Sequence, residues 1–403
     1  MASPGRVLHL SENLPLPFDR RVWMELNALR AGGWEVSAIC PMGDQWTRPY
    51  EVLDGIHVWR YPPPPSASGF ASYAWEFLYC FLQTARLSLV VRARRGFDVI
   101  HAANPPDTFW ALAACYKPFG VRYVFDHHDL CPELYVSRFG PRREGSLPHR
   151  LLRWLERRQF RTADLVISTN ESYRQVAMSR GRVPSERVFV VRSGPSRERF
   201  ATLRAVDESL RRGRRHLVAY LGVMAPQDGV DHLLRAARIL AGRGRTDVAY
   251  TLIGSGDSFD ELRAMADEFG LAEAVEFTGR IPDGQVESIL ATADVCVCPD
   301  PLNPLNDVST MNKVLEYMAC GRPIVAYDLR EHRYSAGEGA LYAEPNREDR
   351  LADRIAELLD DPALRERMGA YNRKRFLETM AWEYSAGELL RAYRTLCGTE
   401  PSA

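Results

Sequence analysis

The sequence predicts an α/β protein with two parallel-sheet domains, and three observations support this fold class. The chain has 403 residues, too many for one ordinary core and typical of two or three domains. Short β-branched apolar segments alternate with helical patterns of about 10 to 15 residues, as in βαβ units. Apolar residues make up 46% and charged residues 26%, which excludes a disordered, collagen-like or polytopic membrane chain.

Residues 1–200 form the first predicted domain. Its strands are expected at RVLHLS, WEVSAICP, HVWRYP, DVIHAAN, RYVFDHH, DLVISTN and VFVVRSG. Helical patterns run from Asp19 to about Ala31, over 70–95 and over 148–162. Strands that alternate with helices in this way predict a Rossmann-like domain.

Residues 201–380 form the second predicted domain, after the charged linker segment SRERFATLRAVDESLRRGRRH. Its strands are expected at HLVAYLGV, VAYTLIGSG, VEFTGR, DVCVCPD, PIVAYDL and ALYAEP, with helices near 229–242, 258–269, 283–292 and 311–320. This alternation predicts a second Rossmann-like domain. The pattern then becomes helical, and we expect the last segment, 381–403, to cross back to the first domain.

Charge and cysteine usage restrict the partners and the compartment. Lys+Arg and Asp+Glu are equal at 52 each, so the net charge of the chain gives no indication of nucleic-acid binding, which a strongly basic domain would give. Residues 1–200 nevertheless carry 27 basic and 19 acidic side chains, and the remainder carries 25 and 33.

The 8 cysteines lack metal-type spacing, which is typical of reduced cysteines in the core of a cytosolic protein. The amino terminus lacks signal-peptide features, and polar residues interrupt the apolar stretch 70–91. We therefore expect a cytoplasmic protein.

The densest chemical signal is the segment STMNKVLEYMACGRPIVAYDL, residues 309–329. Ser309 or Thr310 is a good helix N-cap, and amides in the first turn of a helix can receive a phosphate group. Lys313 and Glu316 are three residues apart and so share a helix face. There Glu316 would accept hydrogen bonds from a ribose diol. The alternative is an ordinary Lys–Glu pair on a solvated helix.

KVLEYMACGRPIVA resembles the nucleotide-sugar signature of retaining glycosyltransferases of family 4. The motifs LGV, LIGSGD, FTGRIP, ADVCVCPD and LEYMACGRP follow one another as in that family, and DRRVWMELNALRAGGWEVSAICP and FDHHDL resemble its first domain. The resemblance implies the GT-B fold, two Rossmann-like domains facing a central cleft with helices at the carboxyl terminus. It also implies transfer of a sugar from a nucleotide diphosphate sugar, without a cofactor. Because the sequence has no H-E-x-x-H motif, no Cys/His metal spacing and no D-x-D dyad, we expect the transfer to be metal-independent.

Two departures from the family pattern affect the donor site. The first of the family's two acidic positions falls on Val308, one residue after Asp307, and the cations that usually follow the first strand of the second domain are absent from GVMAPQDGVD. Binding of the diphosphate would then fall to a set of other groups: the amides at Ser309, Thr310 and Met311, the side chain of Lys313, and Arg280 or Arg322. Gly254, in the weak G-S-G-D motif, is expected to border the nucleotide.

The first domain is expected to supply His127 or His128, which follow the strand RYVFD at a carboxyl strand end. The family loop implies that one of them acts in catalysis, together with Glu316 from the second domain. Other residues expected at this edge are Asp19, Arg20, Arg21, His101, Asn104, Asp107 and Glu133. For Asp107 helix capping is an equal explanation, and for Glu133 an ordinary loop carboxylate is.

A basic helix at 148–162 bears on location. Its arginines, Arg150, Arg153, Arg157, Arg158 and Arg161, alternate with leucines, Trp154 and Phe160. Such a stripe favours a peripheral contact with anionic lipid at the inner face of the membrane, and an ordinary surface helix is the alternative. The acceptor that we expect for such a transferase is a glycan, a lipid-linked molecule or a small molecule. Two other functions stay open, a UDP-sugar 2-epimerase of the same fold and a non-catalytic partner subunit.

Overall fold

The computed structural model describes residues 4–43, 45–63 and 70–398 and divides the chain into two compact units. The first unit is Met1–Arg192 with Ser385–Ala403, and the second is Ser193–Tyr384. Each contains a sheet with helices between its strands, so the predicted pair of α/β domains is confirmed. The sequence placed the boundaries after residues 200 and 380, within eight residues of those in the structure.

The first unit contains an eight-stranded sheet. Its strands are β1 (Arg6–Leu10), β2 (Glu35–Pro41), β3 (Tyr50–Leu53), β4 (Ile56–Tyr61), β5 (Val99–Ala103), β6 (Arg122–His127), β7 (Leu165–Ser168) and β8 (Val188–Val190). Its helices are α1 (Arg20–Ala31), α2 (Phe70–Arg94), α3 (Trp110–Tyr116), α4 (Cys131–Phe139), α5 (Leu147–Thr162) and α6 (Glu171–Ser179). The order β3-β4-β2-β1-β5-β6-β7-β8 is parallel throughout except for the β3–β4 pair.

The second unit contains a six-stranded parallel sheet of order β11-β10-β9-β12-β13-β14. Its strands are β9 (His216–Leu221), β10 (Val248–Ile253), β11 (Val275–Gly279), β12 (Val295–Cys298), β13 (Ile324–Tyr327) and β14 (Ala340–Ala343). Its helices are α7 (Val230–Gly242), α8 (Phe259–Glu268), α9 (Asp283–Thr292), α10 (Asn312–Ala319), α11 (Arg330–Ala336), α12 (Glu348–Asp360) and α13 (Pro362–Arg375).

The last helix, α14 (Trp382–Cys397), returns the chain to the first unit. Tyr393 on this helix is buried, and its ring lies edge-on to Trp34 at 5.0 Å. Its hydroxyl lies 2.8 Å from His101 Nδ1 at the centre of the first sheet. The amino-terminal unit is therefore completed by residues from the end of the chain.

Both sheets change winding direction beside their first strand. In the first sheet the chain runs outward from β1 through β2 on one side and from β5 on the other, and in the second sheet from β9 through β10 and from β12. Ligands of doubly wound proteins bind outside the carboxyl ends of the strands at such a switch point. Each unit therefore offers one expected ligand edge.

Apolar side chains from both faces of the second sheet form its core. Tyr220 and Leu252 pack with α7 and α12 on one face, and Cys296 and Cys298 pack with α9 and α10 on the other. In the first unit one cluster joins α2, α3 and α5 to the strands. The near-continuous burial of β5, β10 and β12 is what a parallel sheet covered on both faces requires.

Candidate active site

A buried charged cluster lies at the switch point of the first sheet. Asp126, near the end of β6, is its centre: Oδ2 lies 2.6 Å from His128 Nε2 and 3.3 Å from His101 Nε2, and Oδ1 accepts from Arg21 Nη2 at 3.2 Å. Burial alone would raise the pKa of Asp126, but His128 and Arg21 hold it well below its usual range. Asp126 is therefore an ionised anchor for the surrounding side chains.

Arg21 joins this cluster from the first turn of α1. Asp19 caps that helix by accepting from the Val22 amide at 3.2 Å, and Arg20 is exposed. The guanidinium of Arg21 lies 2.6 Å from His128 Nε2 through its Nε, donates to the Val191 carbonyl at 2.9 Å and lies 2.9 Å from Glu25. Of the three residues expected after the first strand, Arg21 thus reaches the histidine.

The two neighbouring histidines have different environments. The side chain of His128 is 15% exposed, and its backbone amide donates to Asn104 Oδ1 at 2.7 Å. His127 is fully buried beside Phe125, Phe160 and Tyr173, with ring centroids 5.0 to 5.4 Å away. Burial and then Arg180 lower the pKa of His127 to about 3, so its ring is neutral. The geometry brings His128, and not His127, to the polar cluster.

The other side chains expected at this edge order the loops. Asn104 donates to the Asp129 carbonyl at 2.8 Å and to Asp107 Oδ1 at 3.1 Å, which fixes the loop that carries His128. Burial raises the pKa of Asp107 to about 6. Glu133 is held by the guanidinium of Arg180 through both carboxylate oxygens, an environment that suits an ion-pair partner better than a base.

In the second unit Lys313 reaches from α10 to the switch point between β9 and β12. Its ammonium donates to both oxygens of Asp300, at 2.8 and 3.0 Å, and lies 4.9 Å from the centre of the Tyr220 ring. Burial would lower the pKa of Lys313, but Asp300 raises it well above its ordinary value. Lys313 is buried and charged, so the solvated-face alternative is wrong for this residue.

Glu316, one turn further along α10, points to a different set of groups. Its two carboxylate oxygens each lie 3.5 Å from one terminal nitrogen of Arg199. Glu287 and Asp283 on α9 also lie within 4 Å of that guanidinium. The side chain of Glu316 is 18% exposed, which leaves its carboxylate accessible to a ligand.

The segment before α10 differs from its expected form. Met311, not Ser309 or Thr310, occupies the N-cap position, so the predicted cap is wrong. The Ser309 amide donates to the Asn306 carbonyl at 3.2 Å, and its hydroxyl to the Leu305 carbonyl at 2.8 Å, because a 3₁₀ turn precedes the helix. The Thr310 hydroxyl lies 3.4 Å from buried Glu331.

Three further expected residues lie on two different edges of the second sheet. Gly254 follows β10, and a Cβ there would lie 1.8 Å from the Gly222 carbonyl oxygen, so glycine permits the close approach of two loops. Arg280 is exposed after β11 at the same carboxyl edge. Arg322 precedes β13, at the opposite edge, where it donates to the Ala293 carbonyl at the end of α9. The structure therefore does not bring Arg322 to the donor edge.

Three side chains important to these clusters escaped the sequence analysis. From the sequence, Asp126 and Asp300 are visible only as parts of motifs, although Asp126 lies near the end of buried strand β6 and Asp300 lies two residues after buried strand β12. Arg199 lies in the charged linker segment among other arginines. The hydrophobic periodicity of that segment does not indicate that Arg199 contacts Glu316. What could have pointed to the two aspartates is their place at carboxyl strand ends, where a buried carboxylate needs a cation.

In the part of the chain that the structure describes, two clusters have metal-ligand chemistry, namely Glu25 with Asp126 and His128, and Cys298 with Asp300 and His332. In each of them a cationic side chain already contacts the aspartate. Arg21 lies 3.2 Å from Asp126 and Lys313 lies 2.8 Å from Asp300. The charge that a metal ion would supply is thus provided by the protein.

Two protein-family models match the chain and together span most of it. "Glycosyl transferase 4-like domain" matches residues 19–194 and "Glycosyl transferases group 1" matches residues 204–375. The chain is a glycosyltransferase of the family 4 type. Residues of both clusters lie inside the matched ranges, Arg21 and His128 in the first and Lys313 and Glu316 in the second.

Curated relatives of this glycosyltransferase support sugar transfer. Alpha-D-kanosaminyltransferase of Streptomyces kanamyceticus is 28% identical over 332 residues, which cover 78% of this chain and 82% of that protein. Alpha-maltose-1-phosphate synthase of Mycobacterium tuberculosis is 32% identical over 202 residues, 45% of this chain and 49% of the relative. The chain is therefore an enzyme that transfers a sugar.

Solved structures support the fold of the glycosyltransferase. Sucrose-phosphate synthase of Thermosynechococcus elongatus aligns over 98% of this chain and 100% of that one with a TM-score of 0.78 and 19% identity. HepE of Anabaena, solved with UDP and glucose, aligns over 97% and 100% with a TM-score of 0.72 and 14% identity. The expected GT-B fold class is thus confirmed. Among the described residues, no helix has the length and hydropathy that a membrane span requires.

Proposed function

We propose that this glycosyltransferase moves a sugar from a nucleoside diphosphate sugar to an acceptor hydroxyl with retention of configuration and without a metal ion. One observation carries the proposal: α10 presents a buried ammonium, Lys313, and an accessible carboxylate, Glu316, one turn apart behind the switch point of the second sheet. A cation suits the diphosphate, and a carboxylate suits the ribose diol.

Similar proteins support the choice of donor. HepE of Anabaena was solved with UDP and glucose, and its chain aligns with both units of this one. The kanosaminyltransferase carries an alpha-sugar in its name, which agrees with a retaining enzyme acting on an alpha-linked donor. The donor base and sugar of this chain are left to experiment.

The transfer breaks the bond between C1 of the sugar and the diphosphate oxygen and forms a bond from C1 to the acceptor oxygen. The acceptor proton leaves with the diphosphate or passes to buffer. Negative charge develops on the departing diphosphate, so fixed cations and amides lower the barrier. Lys313 is charged and held rigidly by Asp300, which makes it preorganised for this role.

His128 is proposed as the residue of the first unit that contacts the reacting sugar or the acceptor. Its ring is held by Asp126 and Arg21, and part of it reaches the surface. A histidine ring fixed by a buried carboxylate keeps one orientation, and its other ring nitrogen can donate or accept a hydrogen bond. His127 is proposed to support the core behind it.

A peripheral contact with anionic lipid is proposed for the layer of helices α2, α3 and α5. These helices touch one another, because Ser88 Oγ lies 2.9 Å from Tyr116 Oη and the Trp110 and Trp154 rings lie 5.9 Å apart. Exposed apolar side chains line their outer side: Trp75, Leu78, Leu82, Leu89, Leu147, Leu151 and Trp154. Exposed arginines accompany them on α5, which suits a lipid-linked acceptor at the inner face of a membrane.

A donor panel followed by a transfer assay tests the function. Sugar nucleotides of uridine, guanosine, adenosine and thymidine are screened by thermal shift, since binding to the native state raises its stability. The donor that binds is then incubated with candidate acceptors, and the anomeric configuration of the product is read by NMR. Release of nucleoside diphosphate without an acceptor, together with an inverted C2 centre, would instead support the epimerase. No binding across the panel would support a non-catalytic subunit.

A further inference from the structure

We infer that Arg199 is a positioning residue that holds Glu316 for the ribose hydroxyls of the donor. This inference rests on the proposed function, because it assigns Arg199 to the same nucleotide site. Arg199 lies in the segment between β8 and β9, 117 residues before Glu316, and belongs to the second unit. The family resemblance attached no role to it.

The contact between the two side chains has a two-point geometry. Nη1 of Arg199 lies 3.5 Å from Oε1 of Glu316, and Nη2 lies 3.5 Å from Oε2. A planar guanidinium that meets both oxygens fixes the rotation of the carboxylate, which a single point charge would not do. A carboxylate oxygen has two lone pairs and can accept more than one hydrogen bond, so contact with a guanidinium does not prevent a carboxylate from also accepting from hydroxyl groups. A vicinal diol presents two such hydroxyls.

The surroundings explain why a positioning residue is needed. Glu287 Oε1 lies 3.4 Å from Arg199 Nε and Asp283 Oδ2 lies 3.8 Å from it, so three carboxylates share one guanidinium. Without Arg199 these like charges would repel one another, and the Glu316 side chain would turn towards solvent. Burial opposes the charge of Arg199, but Glu316, Asp283 and Glu287 raise its pKa, so it is cationic whenever they are ionised.

Arg204 provides a matched control. It is another arginine of the same segment, 55% exposed, and it contacts Glu287 at 3.3 Å. Replacing Arg204 therefore removes one positive charge from beside Glu287 and leaves the contact between Arg199 and Glu316 intact. A difference between the two variants reports on the positioning of Glu316 and not on the net charge.

The experiment compares the binding of UDP and GDP with that of their 2′,3′-dideoxy analogues by calorimetry. We expect the parent protein to bind one natural nucleotide about tenfold or more tightly than its dideoxy analogue, because two hydrogen bonds to a carboxylate are lost. Arg199→Ala should lower this ratio below about threefold, Arg199→Lys should restore part of it, and Arg204→Ala should keep it.

Each contrary outcome overturns a separate statement. An unchanged ratio in Arg199→Ala, with the circular dichroism spectrum intact, would overturn the positioning role. A parent protein that binds UDP or GDP without preferring the ribose hydroxyls would overturn the role of Glu316 and with it that of Arg199. A parent protein that binds neither nucleotide and no sugar nucleotide of the donor panel would overturn the proposed function itself.

Discussion

Lys313 and Asp300 form a buried ion pair in which the ammonium meets both carboxylate oxygens, at 2.8 and 3.0 Å. Lys313 lies on α10 and Asp300 follows β12, so the pair joins α10 to the carboxyl edge of the sheet. Asp228, in the loop after β9 that lacks the family cations, lies 3.9 Å from the same ammonium. The cation absent from that loop is thus brought to it by a different element.

The first prediction separates the stability of this pair from its proposed role in binding. Lys313→Ala should lower the free energy of unfolding by about 3 to 5 kcal/mol, because it leaves Asp300 buried and unpaired. The double variant Lys313→Met with Asp300→Leu should recover a large part of that loss, since well-packed apolar residues replace buried ion pairs well. Urea unfolding measures both effects.

Binding of nucleoside diphosphate should stay weak in the double variant although the fold recovers. Calorimetry with UDP or GDP tests this, and the corresponding nucleoside monophosphate, which carries less negative charge, serves as a weaker-bound comparison. Equal affinity in the double variant and the parent protein would make Lys313 purely structural.

The second prediction distinguishes the two histidines. His128→Ala should lower the turnover number and the specificity constant together, by about a hundredfold or more, while donor binding stays near normal. His127→Phe should keep the rate, since that ring is neutral and surrounded by aromatic side chains with no hydrogen-bond partner among the described residues. Steady-state kinetics with the identified donor and acceptor decide it. Full activity in His128→Ala would refute the assignment.

The third prediction concerns Glu316. Glu316→Ala should weaken donor binding by about 1.5 to 3 kcal/mol, the usual loss for a hydrogen bond to a charged group. Glu316→Gln keeps the shape and one acceptor oxygen, so its loss should be smaller. The measurement is calorimetric titration of the donor, with thermal unfolding as the check on the fold. Donor affinity equal to that of the parent protein would remove Glu316 from the site.

The fourth prediction uses a buried acid in the loop after β1. Glu12 is 8% exposed, and its carboxylate lies beside the Cys80 thiol rather than beside a cation. Burial raises its pKa to about 9. In the unfolded chain the pKa is near 4.3, so between about pH 5 and pH 9 the folded protein binds a proton that the unfolded chain does not.

Stability should therefore fall as the pH rises through this window, by about 1.4 kcal/mol per pH unit from this residue alone. Glu12→Gln removes the effect, so the variant should exceed the parent protein by a margin that grows by about 2 to 3 kcal/mol between about pH 6 and pH 8. Urea unfolding at the two pH values gives that margin. A margin independent of pH would show that Glu12 is ionised in the folded state.

The fold was predictable because it rests on local patterns, and the misses have physical causes. The α1 and α5 boundaries agree with the expected ones within one residue, since apolar periodicity marks both helices and Asp19 caps α1. Of the hairpin β3–β4 only β4 was predicted and β3 was missed, although Asp54 and Gly55 both have positive φ, as a two-residue turn requires. β3 has only four residues, lies at the edge of the sheet and buries none of them fully, so its apolar pattern is weak.

The site was predictable only as far as residues follow strand ends or known motifs. Glu316 and His128 were reached in this way. Arg199, the partner of Glu316, was not, because the two residues are 117 apart and nothing in the intervening sequence encodes the contact. Arg21 was expected at this edge, but its contact with His128, 107 residues away, was not. The exposure of the α5 arginines was not predictable either, because it depends on their contacts with α3, which is distant in the sequence. Arg158 stacks 4.6 Å from the Trp110 ring.

The last prediction concerns the arginines that do reach solvent. On α5 the outward face carries Arg150, Arg157 and Arg161, whereas Arg153 and Arg158 are partly buried and were wrongly expected to share that face. Leu151 and Trp154 lie on it as well, 53% and 49% exposed. Each basic residue near an anionic surface contributes about 1 kcal/mol, so replacing all three by Gln should release the protein from vesicles of equimolar phosphatidylglycerol and phosphatidylcholine.

The control is the triple replacement of Arg215, Arg263 and Arg367 by Gln, which removes the same charge from exposed positions of the second unit. A flotation assay should show the control bound like the parent protein at low salt and both released as salt rises, because screening at 0.15 M acts over roughly 8 Å. Insertion of Trp154 should also shift its fluorescence to the blue in the parent protein only when vesicles are present. A parent protein that stays with the soluble fraction at low salt would leave this face an ordinary solvated surface, and the acceptor would then be sought among soluble glycans and small molecules.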